Sequence, residues 1–351
     1  MISIENIKKC SQILFTVVLL LTIAFISFLV YRGIKSNDLE YTQTHELINV
    51  TKRPKIVLLL WTWPLRYSFP LNRCPPEFDA SDCLYTIDRD MYSSAHAVII
   101  HHRNISTSKT LLPQIPRPPN QFWIWSNMES PSNSLNLVFL DNLINLTMSY
   151  RVDSDIPTPY GWLVSKNQDS KKYIIPKKSK LVAWMVSNWK KNSRRVKYYE
   201  DLKNYLNIDV FGKYHKPLSR TDYMKNISTY KFYLSFENSI HEDYITEKFW
   251  NNAFVSGAVP IVLGPPRKNY ERFAPPESFI HVDDFNTTKE LASYILDLDK
   301  NYQKYQQYFV WKSKYEVSHR GSFMLQYCKV CRALKEAPGY RTIPSIAEWF
   351  K

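Results

Sequence analysis

The sequence predicts an α/β protein whose body consists of two halves, behind an N-terminal transmembrane signal-anchor. Short continuous apolar runs such as Ile56–Trp61 have the length and composition of buried parallel strands. Segments with helical spacing, such as Arg194–Leu206, alternate with such runs in the second half. An uncharged stretch, Ile13–Val30, precedes them all. Two α/β halves are expected to hold an active site between them, near the carboxyl ends of their strands.

The stretch Ile13–Val30 is an 18-residue run without a charged side chain. As a helix it reaches roughly 27 Å, just enough to span the hydrocarbon core of a bilayer. A cleaved signal peptide is the alternative, but its apolar region is normally shorter, and no small-x-small cleavage site follows the run. The sequence therefore predicts a cytoplasmic tail over residues 1–12, a signal-anchor over 13–31 and a polar stem over 32–53.

Five N-x-[S/T] sequons lie C-terminal to the anchor. One sequon arises easily by chance, whereas five fit a body that enters the secretory pathway. Together with the anchor they predict a single-pass type II protein of the Golgi membrane with a luminal body. The predicted glycosylation sites are Asn49, Asn104, Asn145, Asn226 and Asn286.

The composition narrows the class of partner. The 351-residue chain has a formal net charge of +14 and contains 24 Tyr, 18 Phe and 10 Trp but only 7 Gly, which favours large aromatic cores over low complexity. A basic balance suits a polyanionic partner, such as an acidic membrane or a phosphorylated small molecule. No zinc-finger spacing or Arg-rich tail is present, so we expect no nucleic-acid partner.

Strands and helices can be placed in order along both halves. The first half contains three predicted strands with Pro-rich segments between them: Ile56–Trp61, Ala95–His101 and Phe122–Trp125. A hinge is expected near Pro157–Tyr160, and a helical tail ends the chain. The strands predicted in the second half are Leu181–Val186, Ile208–Phe211, Tyr230–Phe236 and Val259–Leu263, and the helices are Arg194–Leu206, Tyr244–Ser256 and Thr287–Leu298.

The segment Tyr230–Gly264 is the most informative part of the chain, because a polar loop joins its predicted strand to its predicted helix. This loop brings carboxylate, amide, hydroxyl and ammonium groups, with the free N–H groups of a helix, to one place. A nucleotide-sugar diphosphate needs that mixture of groups. An ordinary βαβ unit with a polar loop is the alternative interpretation.

The same segment closely resembles the donor-binding motif of the Lewis-type α1,3/4-fucosyltransferases of animals, in glycosyltransferase family 10. Weaker similarity extends from about Lys55 to Cys331, over most of the predicted luminal chain. The stretches that carry the resemblance are Phe236–Ser239, Asp243–Lys248, Val259–Pro265, Asn269–Phe273 and Phe279–Phe285.

The resemblance implies a fold and a division into domains. The family has the GT-B fold, in which two Rossmann-like domains enclose the active site. The corresponding division here is an acceptor-binding domain over residues 54–160, a GDP-fucose-binding domain over 161–326, and a C-terminal segment over 327–351 tied back to the first domain.

Four cysteines of the body form two sequence pairs, Cys74 with Cys83 and Cys328 with Cys331. Four cysteines allow three disulfide connectivities. The C-x-x-C pair also suggests a redox site or half of a zinc site, but no second half and no thioredoxin-like context accompany it. The resemblance implies the pairing Cys74–Cys328 and Cys83–Cys331.

Inverting transfer of fucose needs a base that takes the proton of the acceptor hydroxyl. Glu129 follows an apolar strand, and the carboxyl ends of strands are where α/β active sites open. Its segment, Trp123–Pro131, resembles the Trp-x-Asn-x-Glu-Ser-Pro stretch of the family, whose Glu is held to be the base. The alternative is a surface carboxylate on a turn.

The departing diphosphate needs cations, for which we select Arg195 and Lys248. Arg195 opens a predicted helix after Ser187 and Asn188, which end a strand. Basic residues crowd this helix and would usually form a solvated face, but the family pattern favours Arg195 over Arg194. The spacer after Asn188 is this chain's own, which leaves the loop geometry open.

Other side chains are expected to bind the donor. Glu247 is expected at hydroxyl groups of the ribose or the fucose. For Tyr160 and Tyr233 the alternative is a core aromatic with a satisfied hydroxyl. Besides Arg195 and Lys248, the predicted donor-binding residues are Tyr160, Ser187, Asn188, Tyr233, Asn238, Tyr244 and Glu247.

Two Asp-x-Asp sequences, Asp88–Asp90 and Asp153–Asp155, raise the question of a Mn²⁺ site. Neither follows an apolar strand, and this spacing is frequent by chance. The family that the chain resembles uses no such metal site. We therefore expect no metal site and no required cofactor, with any stimulation by Mn²⁺ non-essential.

Arg103 ends the segment Val98–Arg103 and is predicted to lie near the acceptor. The alternative is an exposed Arg beside a glycan on Asn104. In the resembled family this position carries Trp in members that also form the α1,4 linkage and Arg in members confined to α1,3. Arg103 thus implies α1,3 transfer to Galβ1-4GlcNAc.

The predicted function is transfer of L-fucose from GDP-fucose to the GlcNAc of N-acetyllactosamine-terminated glycans. A membrane-anchored, lectin-like binder with the same fold is one alternative. A GT-B enzyme with another nucleotide donor is the other, and the long match over Tyr230–Phe285 disfavours it.

Overall fold

Two parallel sheets dominate the computed structural model, which describes residues 56–166, 173–219, 221–318 and 323–351. The predicted tail, signal-anchor and stem, and the Asn49 sequon, lie outside the described residues. Within these ranges, no helix is both long enough and apolar enough to cross a membrane. Contacts group Pro54–Lys351 into one compact unit.

The first sheet has six parallel strands in the order β2-β1-β3-β4-β5-β6. Its central strands are fully buried, as expected where both faces of a parallel sheet are covered, so they carry apolar residues without alternation. The strands are β1 (Ile56–Leu60), β2 (Cys83–Thr86), β3 (Ala97–His101), β4 (Phe122–Asn127), β5 (Leu146–Ser149) and β6 (Ile156–Pro157).

The second sheet has five parallel strands in the order β12-β11-β10-β8-β9. A separate antiparallel ribbon, β7 (Trp162–Ser165) with β13 (Tyr315–Ser318), follows the predicted hinge. The strands of the second sheet are β8 (Lys180–Met185), β9 (Ile208–Phe211), β10 (Tyr230–Phe236), β11 (Val259–Leu263) and β12 (Ile280–His281).

The helices are mostly short, and one of them is a π-helix over Lys248–Val255. The predicted start at Tyr244 is therefore wrong: residues 244–246 precede the helix, because Thr246 binds Glu237 through its backbone N–H and its hydroxyl. The α-helices are α1 (His102–Ile105), α2 (Arg194–Leu202), α3 (Tyr223–Ile227), α4 (Arg267–Tyr270), α5 (Thr288–Lys300), α6 (Tyr302–Gln307), α7 (Phe323–Lys335) and α8 (Ile346–Trp349).

The C-terminal segment returns to the first sheet, as expected. Disulfides Cys74–Cys328 and Cys83–Cys331 join helix α7 to the start of the first half, so the implied pairing is confirmed. Phe350 is buried, and its ring lies 4.8 Å from that of Trp125 in β4. The last residues of the chain thus become part of the first core.

The sequons differ in exposure. Asn286 is exposed, and Asn104 and Asn226 are partly buried. Asn145 is fully buried, with its Nδ2 donating to the backbone oxygen of Arg341. A glycan on Asn145 therefore requires the segment around Arg341 to leave this position.

Candidate active site

Glu129 lies two residues after β4, and its carboxylate is held by side chains from both halves. Its Oε1 accepts from the Arg103 guanidinium at 3.2 Å, and its Oε2 lies 3.5 Å from the Tyr244 hydroxyl. The Glu129 side chain is 31% exposed and Arg103 is 61% exposed, so this carboxylate is anchored yet accessible. The structure thus brings together the predicted base and the predicted acceptor-side Arg.

Two tyrosines support the loop that carries Glu129. Tyr244 is buried, and its ring lies 5.0 Å from that of Tyr150. The Tyr160 hydroxyl donates to the backbone oxygen of Met128, next to Glu129. Burial raises the pKa of both Tyr160 and Tyr244, so both hydroxyls stay protonated as donors. These two predicted donor-binding residues therefore contact the loop of the base.

Lys248, the first residue of the π-helix, points its ammonium group at three oxygen atoms. These are Glu237 Oε2 at 3.1 Å, Thr246 Oγ1 at 2.7 Å and Glu247 Oε1 at 3.2 Å. Burial alone would lower the pKa of Lys248, but the carboxylates of Glu237 and Glu247 outweigh it and raise that pKa. Lys248 is therefore a fixed positive charge.

Glu237 belongs to the same cluster of side chains but is not among the residues predicted from the sequence. It follows β10 directly, and its side chain is fully buried between the Lys248 ammonium and Thr246. The Thr246 backbone N–H donates to Oε1 at 2.8 Å. The available signal was a carboxylate placed immediately after a central buried strand.

Arg195 supplies the second cation, at the start of α2 and only 5% exposed. Its guanidinium donates to the backbone oxygens of Asn188 and Phe236. Within the described ranges its Nε–H has no hydrogen-bond partner, an arrangement that suits an incoming anion. Burial lowers the pKa of Arg195 and Glu237 opposes that shift, but guanidinium stays charged in proteins. Arg194 instead pairs with Asp283 at the surface, at 2.7 Å.

A cavity of about 660 Å³ opens at the carboxyl ends of β8 and β9. Tyr233 lies behind it, fully buried, with its hydroxyl accepting from Asn252 Nδ2 at 3.0 Å. The structure therefore places Tyr233 in the core that supports the cavity. Residues lining the cavity include Ser187, Gly212, Lys213, Tyr223, Glu247 and Asn252.

The loops that follow β4 and β10 touch each other. The hydroxyls of Ser130 and Ser239 lie 3.0 Å apart, and Asn133 Nδ2 lies 3.4 Å from Asn238 Oδ1. Asn238, a predicted donor-binding residue, is thus placed beside the loop that carries Glu129. The loop of the predicted base thus contacts the loop after β10, near which Arg195 bonds to Phe236 and Lys248 bonds to Glu237.

Both Asp-x-Asp sequences serve the local structure. Asp153 receives two hydrogen bonds from Arg151, at 2.8 and 2.6 Å. Asp155 accepts from the backbone and hydroxyl of Thr147, each at 2.8 Å. Asp88 caps a short turn by accepting from the Asp90 backbone. Among the described residues, no group of three or more His, Cys, Asp or Glu side chains could hold a metal ion.

Comparison with known proteins places this arrangement in a family. Residues 53–161 match the profile "Fucosyltransferase, N-terminal", and residues 175–349 match "Glycosyltransferase family 10 (fucosyltransferase) C-term". The chain is 50% identical over 298 residues to 3-galactosyl-N-acetylglucosaminide 4-alpha-L-fucosyltransferase FUT3 of Bos taurus, covering 84% of this chain and 81% of that protein. It is 50% identical over 301 residues to 4-galactosyl-N-acetylglucosaminide 3-alpha-L-fucosyltransferase FUT5 of Homo sapiens, covering 85% and 80% respectively.

Solved structures support the fold. A crystal structure of an alpha1,3-fucosyltransferase superposes with a TM-score of 0.52 at 17% identity, over 80% of this chain and 90% of that one. A crystal structure of an alpha1,3-fucosyltransferase with GDP-fucose also superposes, with a TM-score of 0.51 at 17% identity, over 84% of this chain and 94% of that one. At this identity the likeness concerns the fold alone, whereas the sequence relatives and both family profiles settle membership. The chain belongs to glycosyltransferase family 10 and is a fucosyltransferase.

Proposed function

We propose that this chain transfers L-fucose from GDP-β-L-fucose, with inversion, to the 3-hydroxyl of GlcNAc in Galβ1-4GlcNAc. The products would be Lewis x-type structures on glycoproteins and glycolipids. The observation that carries the proposal is the contact between the Glu129 carboxylate and Arg103 at 3.2 Å, on a loop that touches the loop after β10. A base and a leaving-group site thus meet at one cleft.

In the proposed reaction, Glu129 takes the proton of the acceptor 3-hydroxyl. The oxygen of that hydroxyl forms a bond to C1 of fucose while the bond from C1 to the diphosphate oxygen breaks. GDP leaves with the electron pair, and the charges of Arg195 and Lys248 stabilise the negative charge that develops on it. Attack from the face opposite the diphosphate converts the β-linked donor into an α-fucoside.

The donor nucleoside is assigned to the cavity of about 660 Å³ beside β8 and β9. Ser187 and Asn252 supply polar groups there, and Glu247 is half-exposed at its rim, where it can accept from sugar hydroxyls. The diphosphate would then lie toward Lys248, which adjoins Glu247. Ligand pockets at strand ends of α/β sheets have this combination of apolar walls and a few polar groups.

The acceptor is assigned to a hollow of about 360 Å³ at the ends of β1, β2 and β3. Trp63 lines it with a partly exposed ring suited to a sugar, and the exposed Arg66 adds donors. Arg89 lies over the ring of the buried Trp61, 3.9 Å from its centroid. Asn104 also lines it, so this assignment requires that Asn104 carries no glycan, and its neighbour Arg103 reaches Glu129. A sugar in this hollow would thus contact Asn104, the residue next to Arg103, which bonds to the proposed base.

The linkage is assigned to α1,3. The relatives differ in acceptor, since FUT3 is named for a 3-galactosyl acceptor and FUT5 for a 4-galactosyl acceptor. Arg103 favours the second kind, because a charged fork paired with the base presents a different surface to GlcNAc than a flat indole would.

The proposal includes a fold type, a membrane location and activity without a required metal. The two parallel sheets are assigned to the two Rossmann-like domains of a GT-B enzyme. The uncharged run Ile13–Val30 and the sequons support an integral, type II protein of the Golgi membrane. Two protein cations at the donor site support activity without a required metal.

The test is an assay of the chain with labelled GDP-fucose and two acceptors, Galβ1-4GlcNAc and Galβ1-3GlcNAc. We expect transfer to the first and little to the second. Comparable rates on both would show that Arg103 does not set the linkage. Glycan binding without any transfer would support the lectin-like alternative instead.

A further inference from the structure

Asp243 has an unusual backbone conformation for a residue with a side chain. Its φ is 61°, in the left-handed region, and the residue is buried with only 6% exposure. Asp and Asn are among the few residues other than Gly that adopt this region readily. The turn that results is tight: Ile245 N donates to the Asp243 backbone oxygen at 2.8 Å.

The Asp243 turn is fastened to α4 by a reciprocal pair of hydrogen bonds. The backbone N–H of Asp243 donates to Asn269 Oδ1 at 2.8 Å, and Asn269 Nδ2 donates to Asp243 Oδ1 at 2.8 Å. Both residues are buried, so neither bond is exchanged freely with water. The exposed Arg272 adds a longer contact to the same oxygen, at 3.2 Å.

The second carboxylate oxygen of Asp243 reaches the other half of the protein. Asp243 Oδ2 accepts from the backbone N–H of Val152 at 3.1 Å, in the loop after β5. One buried carboxylate therefore joins three segments: its own turn, α4 and the loop of the first sheet.

The position of this turn matters for both sides of the reaction. The next residue, Tyr244, places its hydroxyl 3.5 Å from Glu129 Oε2. Three residues along, Thr246 binds Glu237 and the Lys248 ammonium. The turn at Asp243 is thus the start of a short path of six residues, which runs past Tyr244, the support of the base, to the cation Lys248.

We propose that Asp243 is a positioning residue that fixes the base, through Tyr244, relative to the donor held by Lys248. The proposal rests on the role proposed for Glu129. Asp243 is buried and acts by holding Tyr244 and Val152 in register across the cleft.

The test changes Asp243 to Asn, first alone and then together with the reverse change at its partner Asn269. Asp243→Asn keeps the tolerance for left-handed φ but opposes an NH₂ group to one of the two donors, Asn269 or Val152. We expect kcat for transfer to fall about 10- to 100-fold, the loss typical of a misplacement near 1 Å. The Kd for GDP, measured by titration calorimetry, should change less than about threefold, because Arg195 and Lys248 keep their own partners.

In the double variant Asp243→Asn with Asn269→Asp, the amide NH₂ at position 243 donates to the carboxylate at position 269, and the amide oxygen at position 243 stays free to accept from Val152. We expect the double variant to recover most of the lost kcat while the Kd for GDP stays the same in both variants, a split that a general loss of stability would not give. Glu242→Gln is the matched control, since Glu242 is an exposed carboxylate on the same turn, and its kcat should stay within about twofold of wild type.

Wild-type kcat in Asp243→Asn would overturn the proposal, and so would a double variant that binds GDP but stays slow. If Asp243→Asn does not fold, the double variant decides the matter by the same criterion. Glu129→Gln assayed alongside separates the two claims: full turnover there refutes the base, whatever Asp243 does.

Discussion

The ammonium of Lys248 lies 3.1 Å from a carboxylate oxygen of Glu237, whose side chain is fully buried. The proposed donor site thus contains its own counter-ion before any diphosphate binds. Burying an ion pair of this kind costs desolvation free energy. Removing one partner destabilises the protein strongly, because the other partner is left as a buried charge without compensation.

Glu237→Gln should therefore destabilise the free protein and make its stability depend more strongly on GDP. Loss of the carboxylate leaves Lys248 as a poorly compensated charge, at a cost of about 3–5 kcal/mol in the free energy of unfolding. The diphosphate of GDP supplies negative charge to the same site. Thermal unfolding with and without GDP measures this: the rise in Tm on adding GDP should be larger in the variant than in wild type.

The control for that experiment is Glu271→Gln, which removes a carboxylate paired with Arg267 on the surface. It should change the Tm and the GDP effect very little. An equal GDP-induced rise in wild type and Glu237→Gln would contradict the counter-ion account.

Arg195→Ala and Lys248→Ala should each weaken GDP binding by about tenfold or more, because each removes a charge-assisted contact worth about 1.5–3 kcal/mol. Arg194→Ala removes a neighbouring guanidinium that is paired with Asp283 instead, and should leave the Kd nearly unchanged. Titration calorimetry with GDP gives all three values. The prediction fails if Arg194→Ala binds GDP as weakly as Arg195→Ala does.

Activity should persist in EDTA, since Arg195 and Lys248 are proposed to neutralise the charge of the leaving diphosphate. The measurement is the initial rate of fucose transfer in EDTA, then after restoring Mn²⁺ in excess. A moderate stimulation by Mn²⁺ agrees with this expectation. Complete loss in EDTA that Mn²⁺ reverses would contradict it.

The stability of the fold should rise with pH between about 7 and 10 because of Lys312. Burial, helped by the nearby charges of Lys166 and Lys178, lowers the pKa of Lys312 to about 7. An unfolded Lys keeps a proton up to about pH 10, so the unfolded state binds more protons in this window, and stability increases with pH.

Lys312→Met should flatten that rise, although it leaves the Phe254 carbonyl that Lys312 binds at 2.7 Å without its partner. Denaturant titrations at pH 6, 8 and 9.5 measure the slope. The exposed Lys289→Met is the control and should keep the wild-type slope. An unchanged slope in Lys312→Met would show that this residue does not titrate in the window.

Much of the fold could be predicted, because long apolar runs dictate buried strands. Tyr230–Phe236 and Val259–Leu263 have the predicted bounds. The strands Cys83–Thr86 and Ile280–His281 were missed because they are short and gain their order from neighbours already in the sheet. The segment after Asp243 has helical spacing, yet its first residues are not helical, since bonds to Glu237 and Asn269 outweigh local preference.

Some residues of the candidate site could likewise be predicted from the sequence, and others depend on tertiary contacts. Glu129, Arg195 and Lys248 follow or begin elements whose ends the sequence locates, so their neighbourhood could be inferred. Glu237 also follows a strand whose end the sequence locates, so its neighbourhood could have been inferred in the same way. Asp243 could not be found in this way, because its partner Val152 is far away along the chain and only the tertiary fold brings the two together.

Glu129 is proposed as the general base of the fucose transfer. A carboxamide keeps the shape of the side chain but cannot take a proton, so Glu129→Gln should lower kcat by about 10²–10⁴. The most direct measurement is kcat on Galβ1-4GlcNAc, taken together with the Kd for GDP. We expect this large loss of kcat with the affinity for GDP preserved. Near-wild-type turnover in Glu129→Gln would show that Glu129 is not the base.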